Sequence, residues 1–302
     1  MENNISKLKI LIILAGIFLG IFCSVEFSQA NVTPPWSTTF NCADWYTGQT
    51  WNSSNCDGMD LINAGNTLSC TNKPDGFSRM DASSNNPLGI GKGWRMVIGD
   101  GSNHNTAAPR LSFPAQSELW LRWYMKFELG MSPHTVPPPS GQTNYNKLVY
   151  VRPMASGGVI DMLPDGFSWG VQGCRYPNND VNRYSSPGSG FNGLNGYPPG
   201  SDGQGDGLWH WIEIHMKIDT NGADGIFEAW ADGVQFFDIH DGNYCATPIS
   251  SLTFFTNQTY ATNNNCMYEY IDDIAISTTG YIGPIGTPDT TPPAAPSGVT
   301  VS

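Results

Sequence analysis

The segment Gly207–Ile239, GLWHWIEIHMKIDTNGADGIFEAWADGVQFFDI, constrains the fold more than any other part of the chain. Leu208, His210, Ile212, Ile214, Met216 and Ile218 share one parity, and Trp209, Trp211, Glu213, His215 and Lys217 share the other. A period of two is the signature of a half-buried β-strand. The cluster TNGADG marks a turn, and a second turn at Asp232-Gly233 precedes VQFFDI. The segment therefore predicts an antiparallel meander, apolar on one face and rich in Trp, His and acid on the other.

The same alternation recurs in ELWLRWYMKFE (Glu118–Glu128). There Leu119, Leu121, Trp123, Met125 and Phe127 oppose Trp120, Arg122, Tyr124 and Lys126. Further strands are predicted at Gly93–Asp100, Asn146–Met154, Gly166–Gly173, Ser251–Thr259 and Met267–Thr278. Gly/Pro/Asn turns separate them, and no long stretch carries an i, i+3, i+4, i+7 pattern. An all-β antiparallel sandwich or jelly roll follows. The stretch from Cys174 to Gly207 reads as one long structureless loop, which in a compact domain is either functional or a plain insertion.

Residues 1–30 read as a secretory signal peptide: Lys7 and Lys9, an apolar run, then small residues at Ser28 and Ala30. A membrane anchor is disfavoured because the run is short for a spanning helix, so no membrane association is expected after cleavage. The expected location is extracellular or the cell surface. Residues 31–286 form one domain with an N-terminal wrap. Residues 287–302, Pro- and Thr-rich, read as a linker. Removing the leader leaves Cys42, Cys56, Cys70, Cys174, Cys245 and Cys266, an even count that suits disulfides in an exported chain. Closure of local loops favours Cys42–Cys56 and Cys245–Cys266, with Cys70–Cys174 left over. A net charge of −12 without a basic stripe disfavours nucleic acid as a partner, and it counts mildly against a strongly anionic substrate unless a local basic patch overrides it.

Outward aromatics on a twisted sheet suit sugars, whose C–H faces stack on rings. Trp120, Trp209, Trp211 and Trp230 are the stacking candidates, unless a loop covers them and they serve as ordinary packing. Trp230 lies between Ala229 and Ala231, small residues that fit the core side, so its indole is expected on the outer face.

ELWLRWYMKF, WHWIEIHMKIDTNGADGIFEAWADG and YIDDIAISTTGYIGP resemble the concanavalin-A-like jelly-roll domains (laminin-G and polysaccharide-lyase-like) of bacterial exported proteins. The heparin-lyase-I-like group is nearest in flavour, and the resemblance covers roughly Leu88 to Gly286. It implies either polysaccharide binding on an aromatic-lined sheet face or β-elimination on a uronate polymer. A structural surface or adhesion domain is a third possibility. Its last strand implies a structural calcium at Asp272, with backbone carbonyls from the Asn31–Asp44 wrap as co-ligands; a turn-capping aspartate is the alternative. The DTTPPAAP stretch resembles the opening of a fibronectin type III domain, implying further C-terminal modules. The Glu-x-Asp-x-x-Glu strand of the glucanase branch is missing, as are the Arg-x-Glu-x-Arg and Gln-x-His strands of the alginate-lyase branch.

Lyase chemistry needs a cation on the uronate carboxylate, a base for the adjacent C–H and an acid for the leaving oxygen. Residue type and inferred facing nominate Arg122 or Arg152 for the carboxylate, His215 or Lys147 as base, and Tyr124 as acid. Each could equally be a solvated surface residue. Tyr268 and Tyr270 on the last strand are of the right type as well, with core packing as the alternative because they share parity with Ile274 and Ile276; His210 is expected to be a hydrogen-bonded core histidine.

Overall fold

The computed structural model describes residues 32–53, 56–62, 70, 78–81, 87–88, 91–98, 107–129, 147–153, 160–165, 168–172, 182–185, 206–242, 248–256 and 266–286. The leader and residues 287–302 lie outside them, and so does the fibronectin-type opening. Every regular element among the described residues is a strand. These are β1 (Trp36–Thr38), β2 (Trp45–Tyr46), β3 (Asp60–Ile62), β4 (Arg79–Asp81), β5 (Gly93–Ile98), β6 (Ala108–Gln116), β7 (Glu118–Phe127), β8 (Lys147–Pro153), β9 (Ile160–Asp165), β10 (Ser168–Gln172), β11 (Asn182–Ser185), β12 (His210–Lys217), β13 (Gly225–Ala231), β14 (Val234–Gly242), β15 (Ile249–Thr256) and β16 (Met267–Ser277).

They form two antiparallel sheets, as expected for a jelly-roll sandwich. The nine-stranded sheet runs β14-β13-β12-β7-β16-β5-β4-β2, with β1 added beside β16. The seven-stranded sheet runs β11-β10-β9-β8-β15-β6-β3. Their inner faces meet in one core. Leu121, Trp123, Ile212, Ile214 and Ile274 of the first sheet pack with Leu111, Val149, Val151, Leu252 and Phe254 of the second. Trp123 and Phe254 span the gap edge-to-face, with ring centroids 5.8 Å apart.

Three expectations need correction. The stretch after Cys174 is not wholly irregular: Asn182–Ser185 is a strand paired with β10. The disulfides are Cys42–Cys56 and Cys70–Cys266, so Cys266 does not pair with Cys245, nor Cys70 with Cys174. The second bridge joins residues 196 positions apart. Cys174 and Cys245 lie outside the described residues. Finally, β16 carries a bulge between Asp272 and Ala275, and Asp273 has φ 47°. An extra residue in a strand switches facing beyond it. Tyr268 and Tyr270 therefore do not share a face with Ile274 and Ile276, and neither does Asp272.

Candidate functional site

Register places the polar parities of β7, β12, β13 and β16 on the outer face of the nine-stranded sheet. Lys126 pairs with Tyr270 and Tyr124 with Asp272. Tyr124 also pairs with Trp211, Arg122 with Glu213, and Trp120 with His215. Glu213 pairs in turn with Trp230, and His215 with Glu228. All four tryptophan candidates, with Arg122, Tyr124 and His215, thus gather on one surface. Lys147 and Arg152 do not join them: both belong to β8 of the opposite sheet, and their side chains lie outside the described part.

Residues 278–286 leave β16 and fold back over half of this face as a strap. The amides of Ile282 and Gly283 donate to the two oxygens of Glu213 at 2.6 and 2.9 Å. Arg122 donates to the Gly283 carbonyl at 3.1 Å, and Ile285 N–H donates to the Tyr124 hydroxyl at 2.9 Å. Tyr281 lies against Trp120, Trp211 and Trp230 at centroid distances of 5.9, 6.3 and 5.7 Å. Trp230 stands on the outer parity, as its flanking alanines imply, but it is 1% exposed. Arg122, Tyr124 and Glu213 are buried too. Burial pushes Glu213 up to about 7, although the two amides and Arg122 pull the other way. Burial also lowers Arg122 and raises Tyr124.

His215 is clamped between carboxylates: Nδ1 lies 2.6 Å from Glu228 and Nε2 2.8 Å from Glu118. Trp120 stacks on it at 4.1 Å and 4°. Burial opposes its charge, but the two acids outweigh burial and raise its pKa. Both ring nitrogens are thus engaged by carboxylates in this arrangement. His210 is held alike, by Asp232 at 2.7 Å and Asp206 at 3.0 Å.

Beyond the strap β7, β16 and β5 assemble a basic, aromatic patch in which Lys126, Tyr270 and Trp209 are partly exposed and Arg95 and Tyr268 are buried. The Lys126 ammonium lies 4.2 Å from the Tyr270 ring centroid and 5.0 Å from that of Trp209. Arg95 lies 4.0 Å over Tyr268. Tyr270 touches Trp209 and Tyr268 edge-on. Burial is the cause that lowers Lys126, and burial first of all raises Tyr270. Trp209 and Lys126 carried a visible parity signal. The two tyrosines did not, because the bulge at Asp272–Asp273 hides the true facing of β16.

Asp272 is completely buried. Its Oδ1 accepts from the Asp273 amide at 2.7 Å, while Oδ2 has no hydrogen-bond partner. Burial, with Asp273 adding to it, pushes this carboxyl up to about 9. The orphaned oxygen and the adjacent acid suit a hard cation. The Asp273 carbonyl, however, already accepts from Arg122 at 3.1 Å. Among the described residues no cluster of three His, Cys, Asp or Glu ligand atoms includes Asp272.

No family model matches the chain, and no curated protein matches it. Solved structures do. A variant of the alginate lyase Aly36B in complex with alginate trisaccharide aligns with TM-score 0.52 at 12% identity, covering 80% of this chain and 98% of that one. Cellulose induced protein, Cip1, aligns with TM-score 0.48 at 13% identity, covering 81% and 97%. At 12% identity the likeness to the Aly36B variant establishes the jelly-roll fold, not the chemistry.

Proposed function

We propose that the chain is an extracellular carbohydrate-binding jelly roll whose ligand, an acidic polysaccharide, lies across Trp209, Lys126 and Tyr270. The observation that carries this reading is the ammonium of Lys126. It is half-buried between two aromatic rings with no carboxylate partner among the described residues, in a chain of net charge −12. A partly desolvated cation gains only part of its lost hydration from ring faces. A carboxylated sugar would supply the remainder, while its C–H face covers Trp209. The alginate trisaccharide held by the Aly36B variant is a ligand of this class, and two disulfides fit an oxidising compartment. Affinity electrophoresis against alginate and a neutral glucan tests the reading. Lys126→Met and Trp209→Ala should each weaken alginate retention on the order of tenfold, with unchanged melting temperature. Equal retention of both glycans, or full retention by Lys126→Met, would refute it and return the surface-domain reading.

A second reading, β-elimination on a uronate polymer, is favoured by the same amine. Burial biases Lys126 toward the neutral form that can accept a proton. Growth of the ultraviolet band of unsaturated uronates during incubation, lost in Lys126→Met, would establish it. Calcium at Asp272 belongs to the proposal as a structural ion, resting on the orphaned Oδ2. An ion bound only to the native state raises the melting temperature. Adding Ca²⁺ to the chelator-treated wild type should therefore raise its melting temperature and leave Asp272→Asn unaffected; a wild type that does not respond to Ca²⁺ would remove the site.

A further inference from the structure

Among the described residues three histidines sit among acids, and one differs in geometry. His210 and His215 each send their two ring nitrogens to different carboxylates. Acids spread around a ring in this way cannot converge on one ion. His240 instead brings two carboxylates to one nitrogen: Nε2 lies 2.9 Å from Asp238 Oδ1 and 3.2 Å from Glu228 Oε1. The three ligand atoms lie within 4.8 Å of one another.

β-Pairing imposes this convergence. Glu228 on β13 and Asp238 on β14 are direct cross-strand partners, and His240 follows Asp238 by two on the same face. Like charges directly opposite one another destabilise a strand pair unless a cation lies between them. Glu228 is also fixed from behind. Its Oε2 bonds His215, which is itself held by Glu118 and stacked on Trp120, so Oε1 is the oxygen left to face His240. Ligating carboxylates are commonly oriented by such an outer hydrogen bond.

We propose that Glu228, Asp238 and His240 bind one divalent transition ion of the zinc type, through one imidazole nitrogen and two carboxylate oxygens, with the remaining positions open to solvent. The donor set selects the ion: imidazole suits zinc, nickel and copper, whereas calcium and magnesium take oxygen ligands. On binding, the ion takes the place of the proton on Nε2, which is released to solvent. β14 is an edge strand, so the ion would cross-brace that edge to β13. The proposal is independent of any glycan binding.

The test is calorimetric titration of the chelator-treated full chain with Zn²⁺, Ca²⁺ and Mg²⁺, with the melting temperature followed in parallel. Zn²⁺ should bind at one equivalent and raise melting. His240→Ala and Asp238→Asn should each weaken it more than about tenfold. Both side chains are more than half exposed, at 56% and 54%, so neither change threatens folding. Any response to Ca²⁺ should be the same in both variants as in the wild type, since it would arise at Asp272. Absence of Zn²⁺ binding in the wild type, or undiminished binding in His240→Ala, would overturn the site.

Discussion

Glu213 couples the strap to pH. Its carboxylate is the acceptor for two strap amides, yet burial holds its pKa up at about 7 against an ordinary 4.5. For a group raised on folding, the native state binds more protons than the unfolded one between the two pKa values. The associated stability is complete below about pH 4.5 and is lost as pH rises to about 7. The shift corresponds to on the order of 3 kcal/mol. His210 acts in the same sense. Burial opposes its charge, but Asp232 and Asp206 outweigh burial and raise it, so its contribution also fades as pH rises. Melting measured by circular dichroism should therefore be highest near pH 5 and fall toward pH 8. Glu213→Gln cannot ionise and should flatten the part of the curve below pH 7, while losing about 1 kcal/mol for a strap amide left without its acceptor. A wild-type curve that rises from pH 5 to pH 8 would contradict this assignment.

At the scale of elements, β16 shows how one residue can mislead a reading by parity. Tyr268, Tyr270 and Asp272 were counted in step with Ile274 and Ile276, but the bulge at Asp273 puts them out of step. Nothing in YIDDIAIS marks a bulge, since neither residue there is glycine. β6 was missed for another reason: APRLSFPAQ carries Pro109 and Pro114, and prolines demote a segment as a strand. β7 and β12 were legible throughout because their alternation is unbroken. The bridges give a prediction at this scale. Cys42–Cys56 closes a loop with a separation of 14, and Cys70–Cys266 one of 196. By chain entropy their removal costs about 3 and about 5 kcal/mol respectively. Urea denaturation of the two double-alanine variants should show Cys70/Cys266 as the greater loss; the reverse order would mean that native contacts, not the unfolded chain, set the effect.

For the whole molecule, the sandwich depends on contacts across the gap between sheets. Trp123 is completely buried and meets Phe254 from the opposite sheet. Trp123→Ala should cost about 3–5 kcal/mol, measured by denaturant unfolding, with no change at the outer-face patch. Trp120→Ala, on the other side of the same strand and partly exposed, should cost much less; equal costs would contradict the assigned facing. This two-faced character was legible, because alternation is written into each strand. Which part of the outer face the strap covers was not. Tyr281 covers Trp230 through a chain reversal after β16, and such a reversal has no periodicity to detect. The Cys70–Cys266 pairing was hidden likewise, since a separation of 196 leaves no local pattern to detect.

The position of β7 has a consequence for biosynthesis. It lies between β12 and β16, both far downstream, and its bonds to them supply the centre of the larger sheet. A chain emerging from its N-terminus exposes β7 with both edges unpaired until β12 has been made, and with one edge unpaired until β16 follows. Such non-local closure is slow and leaves unpaired edges open to aggregation. Cys70 must likewise wait for Cys266. Oxidation before β16 arrives would offer it only wrong partners, so the molecule is completed at its middle, and last.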